Sequence, residues 1–385
     1  MNVMRTLLPA GAALLVLLCC IFTAGCISSD TQTLSEEPTA TDKTESSDKQ
    51  QSISNKIMTH DRMQTVINKQ TEYIVIDSDP GTDDAIAYLL KEHLLKRNGL
   101  FVGTAGNVPM NLIHTNVLLL HDYLNSNSKI AFGASVNLEG DPIFYDGFCG
   151  EDGLGDMSPL FKSHMQEKYR LTDEQLEFYL NNTMAESDSI DEIARELMHH
   201  DKITYVTLGP QTTLALLILK YPELVDRIDM VYIMGGGFNI TNAPYDAEFN
   251  MAGDPLADAV VFGSGLNITL IPLDVTSTCI LTEEQIQKFR ESGKYPEMVS
   301  ILESGLISYR ETGEADGFLL HDPTALICAI FPEDFTFKDT NITIDEYGCT
   351  REAEEGYPIH LAVSVDPSAL YKALSLIFRA DINQT

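Results

Sequence analysis

From residue 71 onward, short β-branched runs alternate with segments of helical spacing, and this alternation limits the possible folds more than any other feature. "EYIVIDSD" (72–79) reads as a strand and "DDAIAYLLKEHLLKR" (83–97) as a helix; "LFVGTAGN" (100–107) and "NLIHTNVLLLHDYL" (111–124) repeat the pair. The same order continues with "KIAFGAS", "IDEIARELMHH", "ITYVTLGP", "TTLALLILKYPEL", "DMVYIMGG", "DPLADAVVFG" and "NITLIPLDVT". Strands separated by helices of roughly 10 to 15 residues are the pattern of βαβ units, which set parallel strands in a sheet buried on both faces. The expected architecture is α/β: a single domain with a mainly parallel central sheet flanked by helices, spanning residues 71–385. No repeat of fixed period is present.

In such sheets ligands sit beyond the carboxyl ends of the strands, so the residues found there are the candidates for chemistry. They are Asp77, Asp79, Asp83 and Asp84 after the first strand, Asn107 after the second and Leu208 after a middle one. Met234 with "GGG" follows the next, then Glu248 and Asn250 in "AEFN", Asp274 in "LDVT", and His321 with Asp322. Four aspartates between positions 77 and 84 repel one another and call for a cation. Turn formation at Pro80-Gly81 and helix capping by Asp83 or Asp84 is the alternative account of that motif alone. Further oxygen donors at later strand ends, with no Cys or multi-His set, favour a hard cation. Coordination by six to eight oxygens at roughly 2.3–2.6 Å is the habit of Ca²⁺.

Composition narrows the partners. Asp and Glu number 57 against 25 Lys and Arg, a formal net charge of -32, which excludes nucleic acid as a partner because phosphate binding rests on clustered cations. At the N-terminus, Arg5 precedes the apolar run "LLPAGAALLVLLCCIFTAGC", the form of a secretory signal. "TAGC" resembles a lipobox, which predicts residues 1–25 as a lipoprotein-type signal peptide and Cys26 as the lipidated mature N-terminus. An uncleaved membrane-spanning anchor is the alternative. Either places the domain outside the cytoplasm. Residues 26–70, rich in Ser, Thr, Asp, Glu and Gln, are too poor in apolar side chains to fold and read as a tether. Cys149, Cys279, Cys328 and Cys349 match no zinc spacing, and sequence alone cannot pair them. Asn239, Asn267 and Asn341 each open an Asn-x-Thr triplet, a glycosylation pattern that also arises by chance in strands.

"DSDPGTDDA" resembles the D-x-D-P-G-x-D-D signature of the inosine–uridine-preferring nucleoside hydrolases. The likeness continues in order through "GTAGNV", "DGLG", "YVTLGPQTTLAL", "YIMGGGF", "DAEFNMAGDP", "PLDVT" and "HDPTAL". It covers nearly everything after residue 71. The resemblance implies hydrolysis of the N-glycosidic bond of ribonucleosides to free base and ribose, with one bound Ca²⁺. Carried over residue by residue, it makes Asp79, Asp84, the carbonyl of Leu208 and Asp322 the metal ligands, and puts Asp77 behind them. Asp79 is then also the general base and His321 the general acid to the leaving base. Asp83 and Asn250 are expected to hold the 2′- and 3′-hydroxyls, Asn242 and Glu248 the 5′-hydroxyl, with Met234 under the ribose and Asn107 in the pocket wall.

Such a reaction passes through an oxocarbenium-like state, so it needs an activated water, anionic groups near the sugar and help for the leaving base. Two positions depart from the family pattern: Cys149 stands where a histidine is usual, which bears on base preference, and Thr213 replaces an asparagine in a structural setting. With no Trp in the chain, stacking of the base between tryptophans is excluded. The competing functions are a nucleoside- or ribose-binding lipoprotein without catalysis and a phosphohydrolase with an aspartate nucleophile. Expected partners are the ribonucleoside, a membrane through the lipid anchor, and further copies of the chain as a dimer or tetramer.

Overall fold

The computed structural model describes residues 73–95, 99–143, 147–182 and 189–382. The signal, tether and Cys26 readings lie outside the described residues. Among the described residues no helix is long and apolar enough to cross a membrane.

Nine strands form one sheet: β1 (Tyr73–Ser78), β2 (Leu100–Gly103), β3 (Lys129–Phe132), β4 (Ile203–Thr207), β5 (Ile228–Met234), β6 (Ile268–Ile271), β9 (Phe335–Ile344), β10 (Thr350–Ala353) and β11 (Tyr357–Val365). A separate two-stranded ribbon pairs β7 (Ile280–Leu281) with β8 (Phe318–Leu319). The order across the large sheet is β10-β9-β11-β6-β5-β4-β1-β2-β3. The run from β3 to β6 is wholly parallel, the doubly wound arrangement whose strand order reverses between β1 and β4. That reversal opens a crevice at the carboxyl ends of these two strands, where the aspartate motif begins.

The continuous apolar strands follow from burial on both faces. Along β1, Ile74 and Ile76 belong to one core cluster with Phe101, Val206, Tyr232 and Ile271. Val75, between them, joins Leu100, Val102, Tyr205, Val231 and Leu270 in a second cluster. Successive strand residues point to opposite faces, so the two cores are the two sides of the sheet.

The C-terminal part adds what the sequence pattern did not resolve. β11 runs parallel to β6, β9 antiparallel to β11, and β10 antiparallel to β9. Several strands also stop short of their expected ends. "LDVT" is a helical turn, Leu273–Thr276, because Pro272 has no N–H to continue the β6 ladder. The four cysteines of the domain are buried and unpaired.

Candidate active site

Two helix N-termini meet beyond β1. The helix Thr82–Leu94 carries Asp83 and Asp84 in its first turn, and the helix His321–Ile330 carries Asp322 in its own. Exposed N–H groups and the helix dipole favour carboxylates at both ends. Asp84 Oδ2 accepts the Gly81 N–H at 2.8 Å, while Asp83 Oδ2 accepts the Asp322 N–H at 3.0 Å and ties the two helices together. Oxygens of Asp83, Asp84 and Asp322 all lie within 4.8 Å of one another.

Asp79, just past the end of β1, is buried beside them. Its Oδ2 accepts the Asn107 N–H at 2.6 Å, and its carbonyl accepts Asn107 Nδ2 at 2.9 Å. Two glycines bracket the carboxylate: a Cβ on Gly106 would overlap Oδ2, and one on Gly209 would stand 2.6 Å from Oδ1. The Oδ1 atoms of Asp79 and Asp84 are buried without a hydrogen-bond partner, a costly state for a carboxylate. Burial, followed by repulsion from the neighbouring carboxylates, holds the carboxyls of Asp79, Asp84 and Asp322 above their ordinary range. Burial does the same to Asp83. A cation would relieve the orphaned oxygens and the repulsion together, and the donor set is wholly oxygen.

Asp77 lies one layer below. Its carboxylate accepts Thr104 Oγ1 at 2.5 Å and Tyr205 Oη at 2.8 Å, and burial pushes it up to about 7. Its carbonyl accepts the Leu208 N–H at 2.7 Å, which fixes the peptide at the end of β4. Thr213 Oγ1 contacts Thr104 Oγ1 at 2.6 Å and accepts the Ala134 N–H at 2.9 Å; its part is structural, as the sequence suggested.

The cleft above the carboxylates has two walls. One is polar: Asn250 Nδ2 donates to the carbonyls of Leu208 at 2.9 Å and Met234 at 3.2 Å. Glu248 caps the following helix, Oε1 accepting the Asn250 N–H and Oε2 those of Gly236 and Met251. Asn242 Oδ1 accepts the Phe249 N–H at 2.9 Å. The other wall is aromatic. Phe148 packs edge-on to Tyr309 at 4.9 Å between ring centroids, and Tyr309 lies 6.5 Å from the His321 ring. His321 Nδ1 is 2.7 Å from Thr276 Oγ1, and burial lowers the imidazole to about 4, so the ring is neutral at pH 7. Cys149 is buried in the same wall, its Sγ 3.7 Å from Asn107 Oδ1. A space of about 100 Å³ separates the walls.

The profile of the inosine-uridine preferring nucleoside hydrolases matches residues 74–372. The chain belongs to this family. The non-specific ribonucleoside hydrolase RihC of Escherichia fergusonii is 31% identical to this nucleoside hydrolase over 277 residues, 71% of this chain and 84% of the relative. A purine-preferring ribonucleoside hydrolase from Gardnerella vaginalis superposes with a TM-score of 0.66 at 26% identity, covering 80% of this chain and 98% of its own. A plant nucleoside hydrolase, at 23% identity and a TM-score of 0.68, covers 80% and 99% and shares the fold.

The residues that the resemblance assigns to metal and substrate all reach the cleft or lie among the carboxylates beneath it. Asp83, Asn107, Leu208, Met234, Asn242, Glu248, Asn250, His321 and Asp322 line the cleft, with Asp79 and Asp84 buried under it. Asp83, expected at the sugar, also belongs to the tight carboxylate group. Asp274, a strand-end candidate, instead accepts the N–H groups of Phe238 and Asn239 and anchors that loop. Phe148, Phe249, Tyr309 and Glu314 complete the lining and were not read from sequence. Tyr309 lies twelve residues before His321, on a helix whose periodicity shows only a core face, so sequence gives no sign that this ring ends at a cleft.

Proposed function

We propose that the nucleoside hydrolase uses this cleft to cleave the N-glycosidic bond of ribonucleosides with water, giving free base and ribose, and that Ca²⁺ is its metal. The supporting observation is the group of three buried carboxylates, Asp79, Asp84 and Asp322, with half-buried Asp83, two of them with orphaned oxygens, beside a histidine at the β1–β4 crevice. Asp79, Asp84, Asp322 and the Leu208 carbonyl would hold the ion, whose charge offsets theirs and eases ionisation of the attacking water. Asp79 is pinned through Oδ2 and has Oδ1 without a protein partner, so that this one oxygen could face both the ion and the attacking water, the disposition of a general base.

Asn250 spends its amide nitrogen on two carbonyls, so its Oδ1 is the atom available to a ribose 2′- or 3′-hydroxyl, alongside Asp83. Asn242 spends its oxygen and offers its NH₂ to the 5′-hydroxyl, with Glu248 as acceptor. Met234 lies under the sugar and Asn107 beside it. Closely placed carboxylates favour the positive charge that develops on the ribose. We assign His321 Nδ1 as acceptor from the Thr276 hydroxyl, which puts the ring proton on Nε2, facing the leaving base.

The test is release of ribose from a panel of inosine, adenosine, guanosine, uridine and cytidine. Binding without release of ribose would instead favour a transport-type binding protein.

We further propose an extracytoplasmic, membrane-anchored enzyme: residues 1–25 a signal peptide, 26–70 a tether, and Cys26 the lipidated residue. Cys26→Ser is expected to leave an uncleaved precursor or release the domain; unchanged size and membrane fractionation would contradict lipidation.

A further inference from the structure

The aromatic wall ends in an acidic side chain that the hydrolytic chemistry does not use. The helix Pro296–Thr312 stops at Gly313, whose φ of 77° is open to glycine without strain. The reversal returns the chain, and the Glu314 N–H donates to the Tyr309 carbonyl at 3.1 Å. Glu314 is thereby held next to Tyr309 and lines the cleft with Phe148, Cys149 and His321. The other acid of this turn, Asp316, is engaged by Arg310 at 2.9 Å. Glu314 is exposed at the mouth of the cleft; its carboxylate has no hydrogen-bond or ion-pair partner among the described residues, and the neighbouring protein raises its carboxyl above the ordinary range by desolvation alone.

The polar wall takes the sugar, so the aromatic wall takes the base. A carboxylate there presents two acceptors side by side and no donor. Guanine alone among the common bases carries two N–H donors on adjacent positions of one edge, N1–H and the 2-amino group. Hypoxanthine keeps only N1–H. Adenine and cytosine set one amino group beside a ring-nitrogen acceptor, and uracil flanks a single N–H with two carbonyls, which a carboxylate repels. Two parallel N–H···O⁻ bonds at a cleft mouth that the bound base itself would shield from water form the strong, geometrically selective pair.

We propose that Glu314 makes this enzyme selective for guanosine, its two carboxylate oxygens accepting N1–H and the 2-amino group of a guanine lying against Tyr309. The inference rests on the nucleoside hydrolase reading above. The test compares guanosine with inosine, which differs only by the 2-amino group, using the whole protein supplied with Ca²⁺. Wild type is expected to favour guanosine by about tenfold in kcat/KM, the size of one charged hydrogen bond. Glu314→Gln and Glu314→Ala bring the ratio close to one, mainly by raising KM for guanosine, since the contact is remote from the broken bond. A ratio that is the same in wild type and both variants, with hydrolysis intact, would overturn the role of Glu314. Absence of hydrolysis with every nucleoside would overturn the parent function and this inference with it.

Discussion

At Asp79 and His321 the two halves of the reaction can be separated by the quality of the leaving group. Asp79→Asn removes the carboxylate proposed to activate water, so hydrolysis of every substrate should collapse, including p-nitrophenyl riboside, whose phenolate departs with little protonation. His321→Ala should slow natural nucleosides by roughly 10²–10⁴-fold and leave the activated riboside nearly unchanged. Equal losses on both substrates would mean that His321 holds Asp322 or the helix start in place and donates no proton. The clustering of the aspartates was legible in the sequence because the motif packs them where a strand ends, and His321 was singled out by its place before a presumed ligand and by the family resemblance; the structure puts its ring in the cleft wall. Phe148, Tyr309 and Glu314 were not legible, since a pocket-facing ring and a core-facing ring carry the same periodicity until the helix is docked. Cys149 stands where the resemblance leads one to expect a histidine; as burial pushes its thiol up to about 12, it fills the wall as a neutral group.

Among the elements, the turns after β2 and β4 matter most. Gly106 and Gly209 close on either side of the Asp79 carboxylate, so the strands fix the carboxylate proposed as general base by leaving no room beside it. Gly106→Ala would push the carboxylate aside while leaving the sheet pairing intact. We expect a loss of about 10²-fold or more in kcat/KM with an unchanged circular dichroism spectrum, a misplacement of roughly 1 Å being enough. Activity close to wild type would show that Asp79 tolerates displacement. The parallel strands were read correctly because each is a short β-branched run bounded by helix. The antiparallel set β9–β11 escaped notice: its strands are partly exposed, with polar residues such as Lys338, Asp339 and Thr340 in mid-strand, so it lacks the apolar runs that marked the rest.

For the whole molecule, the buried carboxylates couple stability to pH and metal. Asp77 and Asp84 are raised from 3.8 to about 7 and Asp83 to about 6, burial being the main cause in each. Without metal the folded state therefore binds more protons than the unfolded one between roughly pH 4 and pH 7. Stability from these groups is complete below about pH 4 and is lost as pH rises through their folded values. On the proposed reading Ca²⁺ reverses the balance, since it would bind the ionised carboxylates and stabilise only the folded state. Differential scanning calorimetry should show a Tm gain from Ca²⁺ that is near zero at pH 4.5 and grows to roughly 5 °C or more by pH 7.5. A gain independent of pH would place the ion away from these groups.

The most direct measurement is ribose release from the nucleoside panel by one preparation in three states: as purified with Ca²⁺, after chelation and desalting, and after Ca²⁺ is restored. Ribose formation with Ca²⁺, its loss on chelation and its recovery on re-addition is the expected result. Undiminished turnover in the chelated protein, or no ribose from any nucleoside in the Ca²⁺-loaded one, would contradict a calcium-dependent nucleoside hydrolase built on Asp79, Asp84 and Asp322.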